Sequence, residues 1–495
     1  MKKILLSVVI FSFFYLQSTV ARAQQPDAVY KLLKQEWTVN ADGTSDYHYR
    51  HEVQILRNRA LVAYADKGET FVVYNPDIEE LTVNEVYTVR ADGSRVEMPQ
   101  NAYIYQLPSN CADCGRFNHF RELAMVHTGM EIGCVIVVDY TIHRNYNLIS
   151  NTIELVRDCP IDRLEVNVTV PEGQELNVQL NNPEVIKFGP SVKQTQTSYS
   201  LTAAAVPQSF VDSYLPDRSQ LYPTLRFYNG VPEFIPAFDN AGLKEAMDVV
   251  GRIQSGDTPK ENIGIIRDYV VDNIHLNDIP AEKLGYVHST AAEVWRTGCG
   301  TATDKAVLLA AMLNQWGYKA RVNGDNSDEV GVMIDTLEYR LDVRRKAPME
   351  IYGEAKDEVD TQDVKLTVEP ELKELTDGFY LLPLSPMAGS PKVDAAGLST
   401  TRVAPLQTSA CCLSSDITYM LPKGMKMVGN AVSEKMAFEG VGSVELSVKQ
   451  SGKKLRIVRK LNVEKSIVTA ENYDSFRKLM VLWQSIDSIL LTNNK

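Results

Sequence analysis

The chain has 495 residues, of which 44% are hydrophobic and 23% are charged, and its formal net charge is −12. This length and composition are typical of a globular protein with two to four domains. The acidic balance argues against nucleic acid and anionic lipid surfaces as partners. Seven cysteines in a chain of this size do not make a disulfide-rich scaffold.

The N-terminus has the pattern of a cleaved signal peptide over residues 1–23. Lys2 and Lys3 precede an apolar run, and Ala21 and Ala23 have the spacing of a cleavage site. No later stretch of about 20 apolar residues is long enough to span a membrane. We therefore expect a mature protein without a transmembrane segment, located in the periplasm or outside the cell.

Residues 24–202 are predicted to form an all-β domain. Short runs of alternating or β-branched residues are separated by turn signals, and Asp42 and Asp92 are each followed by glycine, as in hairpin turns. Two packed sheets are the expected arrangement. The prolines and weak periodicity of residues 203–236 predict a connector.

A helical period begins near residue 240 and predicts an α+β domain over residues 237–362. Thr258 to Glu261 and Thr290 to Glu293 each have the pattern of a capping box at the start of a helix. A third helix is predicted from about Thr303 to Trp316, and a strand from Tyr318 to Val322 follows it. Helices followed by strands indicate the α+β class.

The last segment, residues 363–495, is predicted to be a second β unit that ends in a helix. Alternating runs such as SVELSVKQ and LRIVRKLNVE indicate strands. A helix is predicted from Ala470 to Leu491 because apolar residues recur on one face. The residues of that face are Tyr473, Phe476, Leu479, Trp483, Ile486 and Leu490.

Cys111 and Cys114 form a Cys-Ala-Asp-Cys turn, and a local disulfide between them is the first expectation in an oxidising compartment. A zinc site with His119 and His127, or a pair of free thiols, is the alternative. A single pair of cysteines is a weak zinc signature, so we predict no metal and no cofactor.

The segment from Thr290 to Val322 resembles the transglutaminase-like fold. In bacterial members of that superfamily a nucleophilic cysteine opens the helix, an acidic residue follows two places later, and an alanine follows four places later. The β region before it is similar to a domain of unknown function that precedes such domains in many secreted bacterial proteins. The resemblance implies a multidomain chain with an N-terminal β sandwich-like domain, a central papain-like α+β domain, and a C-terminal β unit with a terminal helix.

The resemblance also implies a degenerate active site. When Asp304 and Ala306 are aligned with the acidic residue and the alanine of the superfamily, Ala302 takes the place of the nucleophile. Cys299 lies three residues earlier, roughly 5 to 10 Å away, which is beyond the hydrogen-bond reach that a nucleophile and its base require. Asp342 fits the position of the third catalytic residue.

The general base is also missing from the sequence. No histidine follows Cys299, and the window from Asp328 to Gly331, where the resemblance places it, contains none. The vestigial site is therefore Cys299, Ala302, Asp304 and Asp342. We predict a noncatalytic protein that binds or assembles a protein, peptide or glycan partner of the cell envelope. The alternative is an active cysteine peptidase or transglutaminase that uses Cys299 with an unconventional base such as His288.

Overall fold

The computed structural model divides the chain into two compact units. The first consists of Met1–Ser209 and Tyr222–Tyr352, and the second of Phe210–Leu221 and Gly353–Lys495. The structure describes residues 26–66, 71–184, 189–231, 248, 256–323, 330–334, 339–346, 350–351, 359–376, 378–394 and 398–493. The predicted signal peptide lies outside these residues.

The N-terminal part of the first unit is built almost entirely of strands. An eight-stranded sheet has the order β12-β13-β10-β1-β2-β8-β4-β5, and two three-stranded sheets have the orders β11-β14-β9 and β3-β7-β6. The elements are β1 Ala28–Val39, β2 Ser45–Ile55, α1 Asn58–Asp66, β3 Phe71–Tyr74, β4 Glu79–Val89, β5 Arg95–Glu97, β6 Tyr103–Gln106, β7 Arg121–Met125, β8 Val135–Arg144, β9 Ser150–Glu154, β10 Ile161–Thr169, β11 Asn177–Asn181, β12 Ser191–Gln194, β13 Ser198–Val206 and β14 Thr224–Tyr228.

The Asp-Gly turns are where the sequence predicts them. Gly43 has a φ of 91° between β1 and β2, and Gly93 has a φ of 85° between β4 and β5. Glycine adopts this left-handed backbone without steric cost, which explains its place in both hairpins. Strand β14 lies inside the region predicted as a connector. It forms because it pairs antiparallel with β9 and β11, and such pairing with distant strands does not appear in the local periodicity of the sequence.

The helices of the central part pack against a small antiparallel sheet of order β17-β18-β19-β20. Helix α5, Ala302–Gln315, is the centre of this part, since nearly all of its residues are buried. The hydrophobic core around α5 also includes residues of α3, Pro259–Asn273, of α4, Ala291–Thr297, and of the sheet. The elements are α3 Pro259–Asn273, β15 His275–Leu276, α4 Ala291–Thr297, β16 Cys299–Gly300, α5 Ala302–Gln315, β17 Ala320–Asn323, β18 Gly331–Ile334, β19 Tyr339–Asp342 and β20 Glu350–Ile351. Both predicted capping boxes are present, at Thr258 and Thr290.

The second unit has a five-stranded sheet of order β21-β25-β29-β28-β27 and a four-stranded sheet of order β22-β23-β31-β26. Strands β24 and β30 form a separate pair. Its elements are α2 Arg218–Leu221, β21 Asp360–Val368, β22 Lys373–Thr376, β23 Phe379–Pro383, β24 Leu406–Gln407, β25 Cys411–Met420, β26 Lys426–Met427, β27 Val432–Phe438, β28 Gly442–Ser451, β29 Lys454–Val463, β30 Ile467–Val468, α6 Tyr473–Gln484 and β31 Ser488–Thr492.

The terminal helix is shorter than the sequence predicts. Helix α6 ends at Gln484, and the chain then forms strand β31, which pairs with β23. Ile489 and Leu491 are buried and the residue between them is exposed, which is the alternation of a strand. The prediction that the helix continues to Leu491 is therefore wrong. Within the described ranges, no helix combines the length and apolar character needed to cross a bilayer.

Candidate functional site

The N-terminus of helix α5 is held by a third capping box, at Thr301 and Asp304. The Asp304 amide donates to Thr301 Oγ1 at 3.2 Å, and the Thr301 amide donates to Asp304 Oδ2 at 2.9 Å. The Ser289 amide donates to Asp304 Oδ1 at 2.6 Å. Both carboxylate oxygens of this buried residue are thus bonded to backbone amides, so Asp304 fixes the chain around the helix start.

Ala302 is the first residue of the helix and lines a cavity there. The first amides of a helix have no partner within it, and together with the helix dipole they favour negative charge at this end. A cysteine thiol at this position would have a lowered pKa. The methyl group of Ala302 provides no nucleophile.

Cys299 lies in strand β16, and its sulfur is bonded to that of Cys114 with a Cα–Cα distance of 6.2 Å. It is 4% exposed and packs in an apolar cluster with Cys111, Phe117 and Phe120. It is not among the residues that line the cavity at the helix start. A disulfide sulfur is neither a thiolate nor a nucleophile.

The predicted disulfide between Cys111 and Cys114 is therefore wrong. The turn that carries Cys114 packs against β16, which is 185 residues away in the chain, and spacing in the sequence does not reveal this contact. Cys111 has a buried thiol, 3.6 Å from Asn110 Oδ1, and burial raises its pKa.

The disulfide also removes Cys114 from the set of thiolates that a zinc ion would need. His119, the nearest imidazole of the alternative site, has its Nε2 4.0 Å from Asp77 Oδ2. Among the residues that the structure describes, no group of three or more histidine, cysteine or acidic side chains is arranged to hold a metal ion. The alternative of a zinc site at this turn is not supported.

Asp342 ends strand β19, where the superfamily has its third catalytic residue. Its Oδ1 accepts a hydrogen bond from the Arg344 amide at 2.7 Å, and its Oδ2 accepts one from Arg345 Nε at 2.9 Å. The residue opposite on β18 is Gly331, where an added Cβ would come within 2.6 Å of the carbonyl oxygen of Leu341. The position facing Asp342 thus holds no side chain, and Asp342 binds arginine and backbone.

The two histidines closest in sequence to Cys299 occupy different positions. His288 lines the cavity, and its Nδ1 lies 2.9 Å from the carbonyl oxygen of Ser289. Helix α3 ends at Asn273, and the exposed His275 pairs with Cys299 in the short sheet of β15 and β16.

The cavity has a volume of about 450 Å³, and both parts of the first unit contribute to its wall. This volume is within the range of small-molecule and cofactor sites in proteins. The central part contributes the start of α5, a loop with a short 3₁₀ turn, and the segment after β19. The lining residues used below are Gln35, Trp37, Asn151, Glu282 and Arg344.

A buried ionic cluster fixes the 3₁₀ turn Ala281–Leu284 to the N-terminal sheet. The fully buried Glu79 accepts from Arg144 Nε at 3.0 Å and lies 3.3 Å from Lys283 Nζ. Arg144 Nη2 is 3.7 Å from Glu282, and Tyr146 donates its hydroxyl hydrogen to the carbonyl oxygen of Glu282 at 2.5 Å. One wall of the cavity is thereby held in place by paired charges.

Four residues that line the cavity each have a side-chain nitrogen with almost no accessible surface and no hydrogen-bond partner among the described residues. The nitrogens are Gln35 Nε2, Trp37 Nε1, Asn151 Nδ2 and Arg344 Nε. None of these four residues was predicted from the sequence. One feature of the sequence could have pointed to this place. Gln35 is a polar residue among the inward-facing positions Leu33, Trp37 and Val39 of strand β1.

Comparisons with known proteins agree with this architecture. Residues 248–352 match the transglutaminase-like superfamily. Residues 41–209 and 378–491 match two domains of unknown function with solved structures, DUF3857 and DUF3858. The central part of the chain thus belongs to the transglutaminase-like superfamily, and the chain as a whole is a multidomain protein with β domains on both sides of it.

Several solved structures match this chain. A crystal structure described as a "putative protease" from Parabacteroides distasonis has 22% identity and a TM-score of 0.69, and the match covers 94% of this chain and 99% of that one. An M1 zinc metallopeptidase from Deinococcus radiodurans has 10% identity and a TM-score of 0.19 over 59% of this chain and 64% of that one, which is too low to support an argument. The first likeness shows the fold alone. No curated protein matches the chain.

Proposed function

We propose that this protein is a noncatalytic member of the transglutaminase-like superfamily, and that the cavity at the start of helix α5 binds a protein, peptide or glycan partner. One observation carries the proposal: the helix starts with Ala302, and the nearest cysteine in the sequence, Cys299, has its sulfur in a disulfide. Acyl transfer by this fold requires a thiolate, an imidazole and a group that orients the imidazole. Such residues act as a unit, so loss of two removes most of the catalytic effect.

We further propose that the protein acts in the periplasm or outside the cell. The signal-peptide pattern of residues 1–23 is the primary support. The disulfide between Cys114 and Cys299 adds to it, because such bonds persist in oxidising compartments.

An active cysteine peptidase or transglutaminase is the second candidate, and the protease description of the similar crystal structure favours it. This candidate requires reduction of the disulfide, so that Cys299 becomes a thiol. It also requires a base, for which His288 is the histidine that lines the cavity.

A direct test measures casein hydrolysis and incorporation of a fluorescent amine into casein, with and without reductant. The wild-type mature protein is compared with Cys299→Ala and Ala302→Cys. We expect no turnover by the wild type, and in Ala302→Cys a thiol that iodoacetamide alkylates faster than free cysteine at neutral pH. If the wild type turns over casein in reductant and Cys299→Ala does not, the protein is an enzyme that uses Cys299.

Binding is tested by capture from a native envelope extract on the immobilised mature protein. The control is Ala302→Phe, which fills the cavity from the first position of the helix, with circular dichroism to verify its fold. We expect a captured component that the control does not retain. Equal capture by both proteins would place binding elsewhere on the molecule.

A further inference from the structure

Three cysteines of the first unit lie in one apolar cluster. Cys111 and Cys114 belong to one turn of the N-terminal part, and Cys299 belongs to strand β16 of the central part. The three residues are 0%, 1% and 4% exposed. A disulfide joins only two of them, Cys114 and Cys299, so Cys111 is a free thiol in the same cluster as the bond.

The turn of residues 111–114, called the cysteine turn below, has dimensions that a disulfide can span. The Cys114 amide donates to the carbonyl oxygen of Cys111 at 3.3 Å. The Cα atoms at the two ends of a four-residue turn are less than about 7 Å apart. Disulfides join Cα atoms that are about 4.4 to 6.8 Å apart, and the bond from Cys114 to Cys299 spans 6.2 Å. Cys114 thus has two cysteines at the range of a disulfide.

The cysteine turn is also held against the central part by contacts that do not involve sulfur. Asn110 Nδ2 donates to the carbonyl oxygen of Asp278 at 2.9 Å, and Asn277 Nδ2 donates to the carbonyl oxygen of Asn110 at 2.9 Å. Phe117 and Ile279 pack in the same apolar cluster. Because these contacts remain when the disulfide breaks, the turn keeps its place while Cys114 changes its partner.

The burial of the bond favours an attacking thiol from within the cluster. Cys114 and Cys299 have almost no exposed surface, so a thiol from solution reaches their sulfurs only when the fold opens locally. Thiol–disulfide exchange requires access to the sulfur that is attacked. Among the described residues, four further free cysteines lie outside the cluster, and they are Cys134, Cys159, Cys411 and Cys412.

We propose that Cys111 exchanges with this disulfide and releases Cys299. The thiolate of Cys111 attacks the sulfur of Cys114, and the bond between Cys114 and Cys299 breaks. Cys299 leaves as a thiolate and takes up a proton in place of the one that Cys111 gave up. The products are a disulfide between Cys111 and Cys114 and a Cys299 thiol. One disulfide is present before and after, so no oxidant or reductant is consumed.

The exchange is slow in the folded protein. Burial raises the pKa of the Cys111 thiol, and the negative charge of Glu122 adds a smaller effect in the same direction. Only the thiolate attacks a disulfide, so little of the reactive form is present at neutral pH. Disulfide reshuffling in proteins takes seconds to hours, and we expect this exchange at the slow end of that range.

The exchange changes the link between the two parts of the first unit. It disconnects β16 from the cysteine turn, and β16 lies directly before Thr301, the residue that caps α5. An exchanged molecule has a Cys299 thiol two residues before that cap without any external reductant. This proposal goes beyond the proposed function and does not depend on whether the cavity binds a partner.

Peptide mapping tests the exchange, because trypsin separates the two pairings. Residues 96–116 form one tryptic peptide with Cys111 and Cys114, and residues 297–305 form another with Cys299. The folded mature protein is incubated without air at pH 8.5 for about 16 h. Its thiols are then blocked with N-ethylmaleimide in urea at pH 5, where too little thiolate remains for exchange. We expect an internal disulfide in the first peptide and a blocked Cys299 to appear with time in about 1 to 10% of the molecules.

Variants identify the attacking thiol, and circular dichroism verifies that each is folded. Cys111→Ala should release no Cys299 thiol under the same conditions. Cys134→Ala removes a buried thiol outside the cluster, and this matched control should exchange as the wild type does. Cys299→Ala treated with oxidised glutathione should form the internal disulfide, because Cys111 is then the remaining partner of Cys114 in the cluster.

Three results would overturn the exchange. The first is a wild type in which the peptide of residues 96–116 never acquires an internal disulfide. The second is release of the Cys299 thiol in Cys111→Ala to the wild-type extent, which would assign the attack to another group. The third is a blocked Cys114 with Cys111 bonded to Cys299, which would show attack on the other sulfur. Casein turnover tests the proposed function separately, so failure of one proposal is distinguishable from failure of the other.

Discussion

At the scale of single residues, His51 is a buried imidazole whose charge state couples folding to pH. It lies fully buried in strand β2, and its Nδ1 is 3.0 Å from the hydroxyl oxygen of Tyr49. Burial, with a smaller effect of positive charge at His127 and Arg157, lowers the pKa of His51 to about 3 from the model-compound value of 6.5. The folded protein therefore holds this ring neutral at pH values where the unfolded chain protonates it.

Stability should consequently fall as pH decreases from about 6.5 to about 3, because the unfolded state binds the additional proton over this range. We expect His51→Asn to be less stable than the wild type at pH 7, and the gap to narrow by about 2 kcal/mol by pH 5. Urea unfolding followed by circular dichroism at both pH values measures the gap. The exposed His143→Asn is the control, and an unchanged gap for His51→Asn would contradict the prediction.

The sequence predicts the role of a residue correctly where that role depends on residues close to it in the chain. The capping boxes at Thr258 and Thr290 follow from spacing alone, because the partner is three residues away. Gln35 and Trp37 line a cavity together with residues more than 100 positions away in the chain, at the start of α5 and after β19. No pattern within strand β1 specifies this arrangement.

At the scale of elements, the ionic cluster of Glu79, Arg144 and Lys283 joins strands β4 and β8 to the turn that forms one cavity wall. Arg144 is 1% exposed, and the Lys283 side chain is 10% exposed. The Glu79 side chain also accepts a hydrogen bond from the Asn75 amide at 2.9 Å. Cations buried to this extent depend on their anion, since each would otherwise be left without its solvation.

Glu79→Gln keeps the shape of the side chain and removes its charge. We expect a loss of about 3 to 5 kcal/mol in the free energy of unfolding, the range found when one partner of a buried ion pair is removed. The exposed ion pair of Arg95 and Glu97 provides a control, in which Glu97→Gln should change the free energy of unfolding far less, because water and salt screen an exposed pair. Urea unfolding measures both variants. Equal losses of stability would show that the buried cluster contributes no more to the free energy of unfolding than the exposed ion pair does.

Element types were easier to predict than element ends. The apolar face of the terminal helix is present, because Tyr473, Phe476, Leu479 and Trp483 are buried in the core of the second unit. The predicted end was wrong because Ile489 and Leu491 extend the apolar run as a strand that pairs with β23. Pairing with a strand about 100 residues earlier in the chain decides between helix and strand here. The local periodicity of the sequence does not show that pairing.

At the scale of the whole molecule, the order of β, α+β and β parts follows from composition and period, and the cross-link between the first two does not. The sequence has seven cysteines, and the turn between Cys111 and Cys114 predicts a bond between those two. The fold instead brings Cys114 to Cys299. This bond also means that Cys299, the nearest cysteine to the start of helix α5 in the sequence, has no free thiol.

The bond between Cys114 and Cys299 closes a loop of 185 residues, and a loop of that length restricts the unfolded chain strongly. The chain-entropy relation gives a stabilisation of about 5 kcal/mol, an upper value when the unfolded state retains structure. We expect the double variant Cys114→Ala/Cys299→Ala to lose several kcal/mol and to become insensitive to reductant. The wild type in reductant should fall toward the stability of that variant.

Cys412→Ala, at an exposed cysteine outside the disulfide, is the matched control and should respond to reductant as the wild type does. A wild type whose urea unfolding midpoint does not change in reductant would show that this bond does not stabilise the fold.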